Sequence, residues 1–441
     1  MNPNIVLITC HDLGRHLGCY GVPSVQSPNL DRMADEGVLF TNSFCTSPGC
    51  SPSRASLYTG RYPHSNGVMG LTHANFAWDL NPGERHLVQY LNDAGYRTAL
   101  IGGQHETRHP DKLGFNDGCD GDWRPCDDVA RHAEAWLRQR VDDTTPFYLQ
   151  VGFFEPHRPF DFGGVEPEAS DGVTVPPFLV ADEAAHREFA DYQGAIHKVD
   201  AAVGVILDRI QDSPLADNTM IIFTTDHGMP FPRAKCTTYD PGIEVAHIVK
   251  WSGQPWSNGR RTDELVSNVD QLPTLLDMLG LHVPDAVQGR SWLPLLTGGQ
   301  YEARREIFAE KTYHGYCDPM RCIRTRTHKL IANFTAAPAV EDPSQTYRPK
   351  TIPLEPADPA SAYHEPLELY DLTVDPLEHH NLAGNPEVSH LQAQLTERLR
   401  DWMADTGDPL LKGIPVSPMQ RETTDTLHPG HGHPVQERAS K

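Results

Sequence analysis

Short apolar runs alternate with helix-spaced patterns along roughly the first 280 residues of the chain. Residues 4–9, 97–101, 147–153, 219–224 and 244–250 are apolar almost throughout, as strands buried on both faces are. Between them, Ser27-Pro28-Asn29-Leu30 predicts a helix start, with Ser27 as cap, Pro28 in the first turn and Gly37 beyond the end. Residues 84–94 place Leu87, Val88 and Leu91 on one face ahead of Gly95. Two longer helices are predicted at 127–140 and 183–211, the second with Ile196, Val199, Val203, Ile206 and Ile210 at helical spacing. This alternation implies an α/β domain over residues 1–300, a large mainly parallel sheet flanked by helices.

Near residue 300 the pattern changes. Arg305–Ala309, Cys322–Phe334 and Glu368–Leu372 read as short strands with polar alternation, and a helix is expected at about 387–404. Residues 301–405 are therefore expected to form a smaller C-terminal antiparallel sheet plus helix. Residues 335–365, rich in Pro, Ala and Glu, should form a long loop. Residues 406–441 read as an extended tail, and the histidines of His428-Pro429-Gly430-His431-Gly432-His433 as solvated rather than metal-binding.

Charge narrows the function. The formal net charge is −22 over 441 residues, a field that repels nucleic acid and anionic membranes. An anionic ligand would need a locally basic pocket. No apolar stretch is long enough to span a bilayer, and Met1-Asn2-Pro3 runs straight into the first apolar run without a signal-peptide pattern. The nine cysteines are odd in number and include no C-x-x-C, which points to a reducing cytoplasmic setting rather than to a disulfide framework or zinc ribbon.

Ligands of open α/β sheets lie beyond the carboxyl ends of strands. Five polar clusters fall near such ends: His11-Asp12, Cys50-Ser51-Pro52-Ser53-Arg54, His105, Glu155-Pro156-His157-Arg158, and Asp226-His227-Gly228 with Lys235 downstream. Singly, each has an ordinary explanation: a turn cap, a hydrogen-bonded histidine, a buried thiol. Together, carboxylates with imidazoles fit a divalent cation, and the added Lys, Arg and His fit an anionic substrate.

Cys50-Ser51-Pro52-Ser53-Arg54, followed by Thr59-Gly60-Arg61, closely resembles the C-x-P-S-R motif of the sulfatase family, of the alkaline phosphatase superfamily. Asn4–Gly14, Asp226-His227-Gly228 and Leu369-Tyr370-Asp371-Leu372 with Asp375-Pro376 and Asn381-Leu382 resemble sulfatase segments in the same order, so the likeness spans about residues 3–405. Gly228-Met229-Pro230-Phe231-Pro232 and Pro319-Met320-Arg321 resemble the heparan N-sulfatase (sulfamidase) branch. The resemblance implies that Cys50 is oxidised to formylglycine by a formylglycine-generating enzyme. It further implies that Arg54 steadies the hydrated aldehyde, that His105, His157 and Lys235 act on the sulfate or the leaving group, and that His11, Asp12, Asp226 and His227 stand at metal positions. His314 and Arg321 are expected to contact substrate.

Two positions depart from the family. His11 replaces the first carboxylate of the usual Asp-Asp pair, and Gly103 replaces a lysine two residues before His105. The family's metal is calcium, whereas His11 and His227 would suit manganese or another transition metal. The implied reaction is a double displacement on a small anionic sulfated substrate, a sulfate ester or sulfamate and in this family one carried on a sugar. Two alternatives stand beside it: a phosphonate monoester or phosphodiester hydrolase of the same superfamily, and a non-catalytic relative that binds sulfated glycans. A homo-oligomer is compatible with the sequence.

Overall fold

The computed structural model describes residues 2–118, 121–339, 341, 343 and 363–427. Thirteen strands are present among them, in chain order β1 Asn4–Cys10, β2 Val38–Phe40, β3 Ser43–Phe44, β4 Arg97–Gly102, β5 Phe147–Gly152, β6 Thr219–Thr225, β7 His247–Lys250, β8 Arg260–Thr262, β9 Val266–Ser267, β10 Glu306–Tyr313, β11 Cys317–Thr325, β12 His328–Asn333 and β13 Leu367–Asp371. The large sheet has the order β4-β5-β1-β6-β7-β2-β8. Its first four strands are parallel, β7 runs antiparallel to both neighbours, and β2 pairs parallel with β8. Strands β3 and β9 form a separate parallel pair.

Strand β1 explains how the sheet is held. All seven of its residues are buried, and alternate side chains enter opposite cores. Val6 and Ile8 meet helices Pro28–Glu36, Cys126–Arg138 and Glu183–Gln211, while Ile5 and Leu7 meet Cys50–Thr59, Leu87–Asp93 and Gln271–Met278. Each fully buried aliphatic side chain contributes about 1.5–3 kcal/mol, so the carboxyl end of β1 is a rigid platform for whatever follows it. Helix Pro28–Glu36 starts as expected but is capped differently. Ser27 makes no side-chain cap; the Asp200 carboxylate accepts from the N–H groups of Asn29 and Leu30 instead, which ties two helices together.

Strands β10–β13 form a four-stranded antiparallel sheet. One face packs through Ile307, Met320 and Ile331 onto Phe44, Tyr239 and Ile243 of the large domain. The other carries Ile323, Leu330 and Leu369 against Leu395, Leu399 and Trp402 of helix Ser389–Asp405. The single strand expected at Cys322–Phe334 is two, because a turn at Arg326-Thr327 splits it into β11 and β12.

The segment from residue 406, expected to be extended, is anchored. Asp408 and Leu410 are buried, the Pro415 carbonyl accepts from the Tyr313 hydroxyl, and Pro418–Leu427 is helical. An ion pair formed by a single aspartate, invisible in sequence pattern, holds it there. Most of the loop expected at 335–365, and the histidines at 428, 431 and 433, lie outside the described residues.

Candidate active site

Helix Cys50–Thr59 enters the interior whole: all ten residues are buried. Its first residue, Cys50, follows an extended Gly49, so the thiol stands at the positive end of the helix dipole. The carboxyl ends of β1 and β6 bring His11, Asp12, Asp226 and His227 to the same place. Asp12 adopts φ 51°, a left-handed conformation that a non-glycine residue holds only where the surroundings enforce it. The Asp12 N–H and the His227 N–H both donate to Asp226 Oδ1 at 2.9 Å.

Arg54, one turn beyond Cys50, donates from Nε to Asp226 Oδ2 (3.1 Å), from Nη1 to Thr9 and from Nη2 to the Cys10 carbonyl. Lys235 places Nζ 2.9 Å from both oxygens of Asp12. Burial pushes the Asp12 carboxyl up, but Lys235, His157 and His227 pull it down to about 2. Burial, with Asp226 and Asp12, pushes the Cys50 thiol up to about 12 against the pull of Lys235 and Arg54. An unmodified Cys50 is thus a neutral thiol near pH 7 and a poor nucleophile.

The donor set fits a divalent cation. Ligand atoms of His11, Asp12, Cys50 and Asp226 all lie within 4.8 Å of one another. His227 Nδ1 is within hydrogen-bond distance of the Gly228 carbonyl (2.9 Å), which assigns the proton to Nδ1. Its Nε2 lone pair then faces Asp12 Oδ1 at 3.2 Å and Cys50 Sγ at 3.2 Å. A lone pair opposite a carboxylate oxygen is repulsive unless a cation or proton lies between them. His11 Nδ1 lies 2.9 Å from Asp226 Oδ2, off the line of a good hydrogen bond, and buried Nε2 has no hydrogen-bond partner among the described residues. Two carboxylates with imidazole nitrogen make a mixed oxygen and nitrogen shell.

His157 sits beside this cluster with Nε2 3.8 Å from Asp12 Oδ2, and its Nδ1 faces the Arg158 carbonyl. Burial pulls its imidazole down to about 3, so it is neutral before an anion arrives. His105 is also held neutral, by burial and the neighbouring His11 and His73; its Nε2 lies 2.8 Å from His73 Nδ1. His314 is buried with its ring in van der Waals reach of Gly49, and Nδ1 stands 3.4 Å from Glu341.

Arg321 is placed elsewhere. It is fully buried, and its guanidinium bonds Asp408, Glu310, and the carbonyls of Lys311 and Met320. Among the described residues its hydrogen bonds run to Asp408 and to Lys311, Thr312 and Met320 of the C-terminal sheet, an arrangement that serves to hold the segment around residue 408.

Two residues at the site escaped sequence reasoning. His73 meets His105 from a loop without periodic pattern. Trp123 lies with its ring centroid 4.6 Å from that of His11, against the backbone of Gly103. The empty position at 103 was the only signal that something else fills the space.

The fold is that of the alkaline phosphatase-like sulfatases, and sequence comparison gives the family. The sulfatase family profile matches residues 3–281, and that of the N-sulphoglucosamine sulphohydrolase C-terminal region matches 231–343. An ulvan-active sulfatase from Formosa agariphila is 30% identical over 94% of this chain and 83% of its own length. Human N-sulphoglucosamine sulphohydrolase is 29% identical over 92% and 91%. Among solved structures, a complex with the substrate D-glucosamine-2-N,6-O-disulfate superposes with TM-score 0.71 at 20% identity, covering 92% of this chain and 99% of that one. A 2-O glycosaminoglycan sulfatase superposes with TM-score 0.71 at 21% identity, over 93% and 94%. The chain belongs to the sulfatase family.

Proposed function

We propose that this protein hydrolyses a sulfate ester or sulfamate carried on a sugar, using residue 50 as nucleophile after oxidation of Cys50 to formylglycine by a formylglycine-generating enzyme. The observation that carries this reading is the convergence of Asp12, Asp226, His227, Arg54 and Lys235 on Cys50 at one helix N-terminus. The hydrated aldehyde supplies two hydroxyls on one carbon, one to attack sulfur and one to expel sulfate as the aldehyde re-forms. Asp12, Asp226, His227 and His11 would hold a divalent cation, which when bound would supply Lewis acidity at the site.

The chain's own residues do the rest. Arg54 fixes the Asp226 carboxylate and the end of β1, so the carboxylates keep their positions as charge moves. Lys235, buried with Nζ on both Asp12 oxygens, is a cation that would meet the sulfate oxygens. His157 begins neutral; an anion within a few ångströms raises its affinity for a proton, which it then delivers to the departing oxygen or nitrogen. His105, paired with His73, and His314, beside Gly49, border the leaving group.

A phosphonate monoester or phosphodiester hydrolase is the second reading, favoured by the His227 lone pair as a metal donor. The test is release of sulfate from N-sulfated glucosamine and from aryl sulfates, measured beside release of phosphonate from an aryl phosphonate monoester. Sulfate release faster than phosphonate release is expected; the reverse order overturns the proposal in favour of the second reading. Placement in the cytoplasm is also proposed, on the eight described cysteines, all unpaired. No helix among the described residues is long and apolar enough to cross a membrane.

A further inference from the structure

Position 103 can only be glycine while Trp123 is seated. A Cβ there would stand 1.9 Å, 2.0 Å and 2.4 Å from three ring carbons of the indole, far inside contact distance. A side chain at 103 and the indole as seated therefore exclude each other, and the wall beside the centre is aromatic. The indole meets His11 edge-on at 4.6 Å and His105 in a T-shape at 6.1 Å, with the Arg54 guanidinium 5.8 Å from its centroid. It continues into Phe154 at 5.7 Å, and Phe154 packs on Phe162 at 4.5 Å and on His157 at 4.9 Å. Trp123, Phe154 and Phe162 are each only half-buried. Three partly exposed rings in contact make a strip beside His11 and His157. Exposed apolar strips beside a polar centre mark binding grooves.

We propose that Trp123 is a specificity residue that receives the apolar C–H face of the pyranose ring bearing the sulfate. The proposal rests on the sulfatase reading for the identity of the sugar, but it concerns binding and is tested by binding. Calorimetry on manganese-loaded Cys50→Ala protein would compare N-sulfated glucosamine with inorganic sulfate, with Trp123 intact or changed. Trp123→Ala should weaken the sugar about tenfold, and Trp123→Phe two- to threefold, while inorganic sulfate changes less than about twofold. Trp123→Phe keeps a ring in the same place, so a fold lost in the alanine variant does not obscure the result.

A parallel fall for sugar and sulfate would overturn the proposal, making Trp123 a support of the anion site alone. So would a sugar that binds the Trp123-intact protein no more tightly than inorganic sulfate. Turnover of sulfate esters in the Cys50-containing enzyme is read separately: Trp123-dependent sugar binding without turnover sinks the activity and leaves this proposal standing. Turnover with an unchanged ratio of sugar to sulfate affinity does the opposite.

Discussion

Two buried clusters in this molecule are built from the same parts and do different work. At the first, Asp12 and Asp226 meet His11, His227, Arg54 and Lys235; at the second, Glu310 and Asp408 meet His64 and Arg321. In the second, the guanidinium lies between the carboxylates, bonding Asp408 twice and approaching Glu310 at 3.4 Å, while His64 Nδ1 meets Glu310. The charges close on themselves and join helix Pro63–Asn66, the C-terminal sheet and residue 408. In the first, Arg54 and Lys235 each grip one carboxylate from one side, His11 Nε2 is buried without a partner among the described residues, and His227 Nε2 lies 3.2 Å from both Asp12 Oδ1 and Cys50 Sγ. A buried polar group left without a partner is costly, and such a cost is retained where a ligand removes it. Composition does not separate the two clusters, nor does one unpartnered imidazole nitrogen, since buried His64 Nε2 also has no hydrogen-bond partner among the described residues; the first differs in gathering Cys50 and Lys235 beside its carboxylates.

That difference can be broken from either side. Arg321→Met leaves two buried carboxylates without their cation and should cost about 3–5 kcal/mol in denaturant unfolding, with kcat/KM of the folded fraction within about threefold of the parent. Lys235→Met should do the reverse in the metal-loaded protein: turnover falls about 10²–10³-fold, with stability within about 1 kcal/mol. Equal losses of stability in the two variants would erase the distinction.

His157→Gln should lower kcat by ~10²–10⁴ on substrates with poor leaving groups and much less on activated aryl sulfates, as loss of a proton donor requires. Near-normal rates on both classes would remove His157 from that role. His11→Asp tests the metal side. It restores a carboxylate to the shell and should move the ratio of calcium- to manganese-supported activity at least about tenfold toward calcium, after chelation and reloading. An unmoved ratio would show that His11 turns to Asp226 rather than to the ion.

The smallest effect lies in the C-terminal sheet. Burial opposes charging of His364, but Asp318 at 3.5 Å and Glu368 at 3.6 Å prevail and raise it to about 9. A raised histidine stabilises the folded state fully below its unfolded value near 6.5 and loses that contribution as pH climbs through 9. Roughly 1–2 kcal/mol of stability should vanish over that interval, and His364→Gln should flatten the profile.

Much of the centre was legible because buried parallel strands announce themselves and their ends must be polar. The structure brings Asp12, Asp226 and His227, which that rule picks out, together with Cys50 and Arg54 of the family motif. The edge of the sheet was not legible: β2 and β8 are three residues each, too short for periodicity, and nothing local marks β7 as antiparallel. Arg321 was misplaced because motif likeness carries no burial, and its partner Asp408 lies 87 residues away. Trp123 sits in an irregular loop, so only the Cβ-sized gap at Gly103 could have pointed to it.

The central claim is that residue 50 acts as formylglycine and not as a thiol. Peptide mass spectrometry of residue 50 across preparations made with and without the modifying enzyme, set against sulfate released per molecule, tests it most directly. Activity should rise in proportion to the formylglycine fraction, with Cys50→Ala folded and inactive. Full sulfate release from protein whose residue 50 is entirely unmodified cysteine would contradict the account.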